Sequence, residues 1–249
     1  MSNPVDPRPQ AQASPAFRSQ LALARGAEKE IRKLTEAPPA KPIGFATLLE
    51  RASDGLDSLP ADVALAAATR AVRAALYSAV GHERQCELLW REALSTSLFA
   101  ARIARESGLS AGAACFAGLL HRVGEALALQ AIGNAEQAVN AKIDVISRSR
   151  IVMHAQCGLT EALLRTWQLP AAVSAAVLGW RQMGELGVVT RESMAVYFGH
   201  LLAVESLYPE FCTAGLADSL GADLGFDHDR IAVLRLQGVT ARELMLALG

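Results

Sequence analysis

Apolar residues in this chain return every three or four positions and rarely every second one. From Glu83 to Glu106, Leu89, Ala93, Thr96, Ala100 and Ile103 mark one face, and Trp90, Leu94, Leu98 and Ala101 widen it. That period of 3.6 makes an amphipathic helix, whereas a strand would alternate. Composition agrees: 47 Ala and 35 Leu make up about a third of the 249 residues, and aromatics are only 5%. Both dominant residues are strong helix formers, and the scarcity of aromatic and alternating β-branched residues argues against a sandwich or barrel. With 51% hydrophobic and 20% charged residues the chain can bury a sizeable core. The expected fold is all-α, a compact bundle of about ten helices.

Breakers divide the chain. Seven of its ten prolines fall within the first 42 residues, so residues 1–16 read as a disordered Pro-rich tail. Helices are expected over Phe17–Leu34, Phe45–Ala52, from Leu59-Pro60 to Leu76, and Glu83–Glu106. Ser110 is placed to cap the next, Ala111–Ala131, which is apolar nearly all round and belongs at the centre. Asn134–Arg150 is a weak, broken stretch; Val152–Trp167 and a helix from Leu169-Pro170 to about Met183 follow. Thr190 caps Arg191–Leu207, and the last elements are Phe211–Leu220, Asp229–Leu236 and Ala241–Leu248. No repeat at a fixed period is present.

Several function classes are excluded on simple grounds. With 24 basic and 25 acidic residues the net charge is −1, so no general positive field draws nucleic acid or anionic lipid, and no direct nucleic-acid binding is expected. Mean hydropathy is +0.22, yet the uncharged stretch Thr166–Trp180 holds only fifteen residues and is interrupted by Gln168 and Pro170. A membrane span needs about 20 apolar residues, so no insertion is expected. MSNPVDPRPQ lacks a basic-then-apolar leader pattern. Cys86, Cys115, Cys157 and Cys212 lie far apart with no CxxC, which reads as buried free thiols in a reducing cytoplasm. Phosphate-binding glycine loops and a GxSxG elbow are absent. Asp227-His228-Asp229 reads as a solvated helix start, since adjacent residues do not converge on a metal.

Three segments carry a resemblance: Leu89-Trp-Arg-Glu-Ala-Leu-Ser-Thr-Ser97, Phe116-Ala-Gly-Leu-Leu-His-Arg-Val-Gly-Glu-Ala-Leu127, and His154-Ala-Gln-Cys-Gly-Leu-Thr-Glu-Ala-Leu-Leu-Arg-Thr-Trp-Gln-Leu-Pro170. In order and spacing they resemble the HDOD family of bacterial signalling proteins, a branch of the HD-domain superfamily. Its members usually read L-W-R-H-S, A-G-L-L-H-D-I-G-K and H-A-x-x-G-x-x-L-L-x-x-W-x-L-P. The resemblance covers about Glu83 to Glu205. It implies an HD-like helical core over 83–207, a diverged helical N-terminal region over 17–82 as a subdomain, and C-terminal helices over 208–249 packing on the core.

In active relatives, helix-borne His and Asp residues hold metal ions that lower the pKa of bound water for attack on phosphate. Here the resemblance puts Glu92 at the first family His, His121-Arg122 at the His-Asp dyad, and Glu125 at the following Lys. The later His-pair region falls near Gly179-Trp180, and the late Asp falls at His200. An arginine has no lone pair to offer a metal and stays protonated. Three readings of His121, His154 and His200 stand open: a zinc site, hydrogen-bonded core histidines, or a pocket for an anionic ligand or peptide. For Arg122 the reading is an internal cation in the metal's place, bonded by Glu92; the alternative is a side chain snorkelling to solvent.

The broken ligand set argues against an enzyme, and the resemblance implies a non-catalytic HDOD-like signalling or regulatory module acting through contacts with signalling proteins; a cytoplasmic location is expected. No cofactor is expected, and a homo-oligomer is compatible with the apolar helix faces. Its vestigial pocket would comprise Glu92, His121, Arg122, His154, Trp180 and His200. The alternatives are a module binding a nucleotide second messenger through Arg122, or a divergent metal-dependent phosphohydrolase.

Overall fold

A computed structural model of the chain describes residues 15–42, 45, 61–182, 189–210 and 214–236, and among these every regular element is helical. The helices are α1 (Pro15–Glu36), α2 (Ala61–Leu76), α3 (Glu83–Glu106), α4 (Ala111–Leu120), α5 (Val123–Val139), α6 (Val145–Trp167), α7 (Ala171–Gly179), α8 (Arg191–Leu207) and α9 (Ala214–Asp223). A 3₁₀ turn, Trp180–Gln182, continues α7, and a last helical segment spans 228–236. The all-α expectation holds. Of the expected tail over residues 1–16, residues 1–14 lie outside the described residues, as do most of the helix over 45–52 and that over 241–248, whereas Pro15 and Ala16 already belong to α1.

Local signals account for most ends. Ser110 accepts from the Ala113 amide at 3.2 Å, Asp144 from Ser147 at 2.9 Å and Thr190 from Ser193 at 3.1 Å, each capping the helix that follows. Gly108, at φ +69°, closes α3. It turns the chain so that the Leu109 amide reaches the Ala104 carbonyl at 2.7 Å.

Two expected boundaries move. Ala111–Ala131 is not one helix: α4 stops at Leu120 and α5 starts at Val123. The cause is tertiary. The indole N–H of Trp180 donates to the His121 carbonyl at 2.9 Å, while the Glu125 amide turns to the Arg122 carbonyl at 3.1 Å. The weak stretch 134–150 is mostly helix, interrupted only after Asn140, which takes a left-handed conformation at φ 49°. The next helix therefore begins at Val145 rather than Val152.

The long α3 is the hub, packed between α4 and α8. Its Ala93, Ala100, Ile103 and Ala104 are fully buried. Two glycines let its neighbours close in. A Cβ on Gly118 of α4 would lie 2.5 Å from the Ser97 Cα, and one on Gly199 of α8 would lie 2.8 Å from the Ala100 nitrogen. On the other side α1 lies on α5 and α6 through a smaller cluster of Leu23, Ala27, Ile132, Ala135 and Ile143. The segment after α1 is tied to the core by the Trp167 indole, which donates to the Pro39 carbonyl at 2.7 Å.

The cysteines meet expectation only in part, and Cys212 lies outside the described residues. Cys86 is buried, but Cys115 is only half-buried and Cys157 is exposed; all three are free thiols. The spacing of α6 explains Cys157, which is turned about 120–160° away from the buried Leu159, Ala162 and Leu163.

Candidate functional site

The α4–α5 junction places His121 and Arg122 on opposite sides of one turn. His121, 1% exposed, points inward. Its Nδ1 lies 2.6 Å from the Gly118 carbonyl and its Nε2 lies 3.2 Å from His200 Nδ1 on α8. A carbonyl only accepts, so His121 carries its proton on Nδ1. Its Nε2 then accepts, and His200 Nδ1 must donate. The order is one-directional: His200 to His121 to the Gly118 oxygen. The Trp180 ring packs edge-on to His121 at 4.7 Å and tilted to His200 at 5.2 Å.

Burial keeps both imidazoles neutral. It holds the His121 pKa down to about 4 against an opposing pull from the Gly118 hydrogen bond. His200 is pushed well below its ordinary value, first by burial and then by His121, Arg122 and Arg181.

Arg122 turns the other way into a carboxylate cage. Its Nε donates to Glu125 Oε1 at 3.0 Å and its Nη2 to Glu125 Oε2 at 2.5 Å, a two-pronged contact one turn along α5. Its Nη1 donates to Glu92 of α3. Arg181, stacked over Trp180 at 5.0 Å, donates to Glu125 as well. The side chain of Arg122 is 22% exposed against 11% for Glu92 and 14% for Glu125. Burial alone would raise the Glu125 pKa, but the hydrogen bonds and charge of Arg122 and the charge of Arg181 outweigh it and leave it lowered. Two guanidinium ions, two carboxylates and two neutral imidazoles give the cluster no net charge. Beneath it the Tyr77 hydroxyl donates to the Leu119 carbonyl at 2.7 Å, and burial raises its pKa.

Residues 61–182 match the HDOD domain family. The chain contains an HDOD domain. No curated protein and no solved structure matches the chain.

The HDOD match covers Glu92, His121, Arg122 and Trp180, whereas His200 comes from α8, beyond it. Five of the six residues singled out from sequence, Glu92, His121, Arg122, Trp180 and His200, meet in this cluster. His154 does not. It is exposed on α6 and is neither a core histidine nor part of the pocket. It stands half a helical revolution from the buried Leu163, so the packing of α6 turns it outward. Two further members were not singled out as site residues. Glu125 stands three positions after Arg122, the spacing of a helical ion pair, and Arg181 directly follows Trp180.

The donor set of this HDOD domain does not fit a metal ion of the HD kind. His121 spends both ring nitrogens on hydrogen bonds, a guanidinium occupies the dyad's second position, and Glu92 and Glu125 are turned onto arginines. Among the described residues no group of three or more His, Cys, Asp or Glu side chains converges to hold a metal. Nor is any described helix long and apolar enough to cross a membrane.

Proposed function

We propose that this HDOD domain is a non-catalytic regulatory module that works through contacts with signalling proteins. The observation that carries the reading is the capture of Arg122 by Glu92 and Glu125. An internal cation replaces an exchangeable one, so the pocket is held together by the protein's own charges and offers no open ligand position for activating water. The same capture disfavours the nucleotide-binding alternative. A phosphate would have to displace carboxylates already bonded to Arg122 and Arg181.

Metal analysis of the purified full chain, with and without His121→Ala, tests the non-catalytic half. The expected result is no stoichiometric zinc, iron or manganese in either. A stoichiometric metal that is lost in His121→Ala would overturn the reading and revive a phosphohydrolase. The interaction half is tested by tagged purification from the native host. A reproducible binary complex with a signalling protein supports it; a nucleotide that co-purifies and raises the melting temperature in an Arg122-dependent way replaces it.

A further inference from the structure

The outer face of α6 carries a pattern that the core does not explain. Ile146 and Met153 are 67% and 58% exposed. They share one stripe with exposed Arg150, Cys157, Gly158 and Glu161. These positions follow the three- and four-residue spacing of a single helix face. At Gly158 a Cβ would meet nothing within 4 Å, so the stripe is notched at that point. Neither Arg150 nor Glu161 has an ion partner among the described residues, so both charges are free to meet a second molecule.

The charges along the stripe are complementary to the stripe itself, read in reverse. Place a two-fold axis midway between Ala155 and Gln156, perpendicular to α6. Arg150 then faces Glu161 of a second copy, and Glu161 faces the second Arg150. His154 and Cys157 of the two copies fall at the same level between these charge pairs. The one axis makes the Arg150–Glu161 pair twice, as an isologous contact requires. We propose that the outer stripe of α6 is a self-association surface, and that its occupant is the same stripe of a second copy in antiparallel register.

One helix pair is at the small end of specific interfaces, so the dimer is a weak, concentration-dependent one. The two Cys157 positions would lie about 4.5 Å apart along the helix axes. The axes themselves would be about 8–10 Å apart. That puts both thiols within reach of a short bis-maleimide.

The test is sedimentation velocity on the full chain over a wide concentration range, with bis-maleimide crosslinking in parallel. The wild type is expected to dimerise as concentration rises and to crosslink through Cys157, with Cys157→Ser abolishing the crosslinked band. Arg150→Glu and Glu161→Arg should each weaken association by roughly tenfold, because each turns two attractive pairs into repulsive ones. The double exchange, Arg150→Glu with Glu161→Arg, should restore it. All three sites are exposed, and circular dichroism verifies the fold. A wild type that stays monomeric overturns the proposal, as does a double exchange that fails to recover association. A Cys157 thiol that resists a monofunctional maleimide also overturns it, because another part of the chain would then cover the stripe.

Discussion

At the scale of single residues, Arg122 and its two carboxylates carry the consequences that are easiest to measure. Removing the guanidinium leaves Glu92 facing no cation in a site only 11% exposed. Arg122→Ala is expected to lower stability by about 3 kcal/mol in urea denaturation. Arg122→Met combined with Glu92→Gln should recover part of that loss, since the uncompensated charge goes with its partner; equal losses in the single and double variants would refute the ion-pair account. The histidines give a pH dependence of definite sign. His121 and His200 are neutral in the fold because burial depresses their pKa values, His121 to about 4. The unfolded chain, with histidines near the ordinary value of about 6.5, binds more protons between those limits. Stability therefore falls as pH drops from about 6.5 toward 4. Glu125, held below the ordinary carboxylate range, extends the loss further down. Urea midpoints measured from about pH 7.5 to 4.5 should decline, and His200→Asn, which keeps a donor for His121 but removes one titrating ring, should flatten the slope. A flat wild-type profile would contradict neutral burial.

Among the elements, the close crossings are more informative than the long helices. A methyl group at Gly118 would press into the α3 backbone at Ser97, whereas one at Gly158 meets open space. Gly118→Ala should cost about 1–3 kcal/mol through displaced helices. Gly158→Ala, at dilutions that keep the chain monomeric, should stabilise α6 by about 0.5–1 kcal/mol through helix propensity alone. Chemical denaturation of the pair separates the two effects, and the same sign for both would be the wrong outcome. Helix α8 was legible from the sequence because apolar period, the Thr190 cap and the Pro209 breaker agree there, and α3 because its long apolar period is bounded by Gly81 and Gly108. The α4–α5 break was not, since a carbonyl claimed by Trp180 from 59 residues away leaves no local trace. Glu92, Arg122 and His200 could be placed by their motif positions. His154 could not, because a motif position fixes neither the rotation of α6 nor which of its faces meets the core.

For the whole molecule, the matched HDOD span ends before the structure that completes it. Residues 61–182 exclude α8, which packs along α3 and supplies His200, and exclude α1, which covers Ile132 and Ala135 of α5. A fragment of residues 61–182 would leave much of the apolar face of α3 in water. It is expected to melt without a cooperative transition by circular dichroism, where residues 15–249 melt sharply. Cooperative melting of the short fragment would show that α8 is dispensable. The pairing of Gly118 and Gly199 around α3 has a mechanical consequence. Backbone meets backbone on two sides of the same helical turns, near Ser97 and Ala100, with no side chain between to act as a bearing. Such a junction has no clearance for one rod to glide past another. Any shape change this molecule passes to a neighbour must pivot around that pinned crossing, as a lever does around its fulcrum.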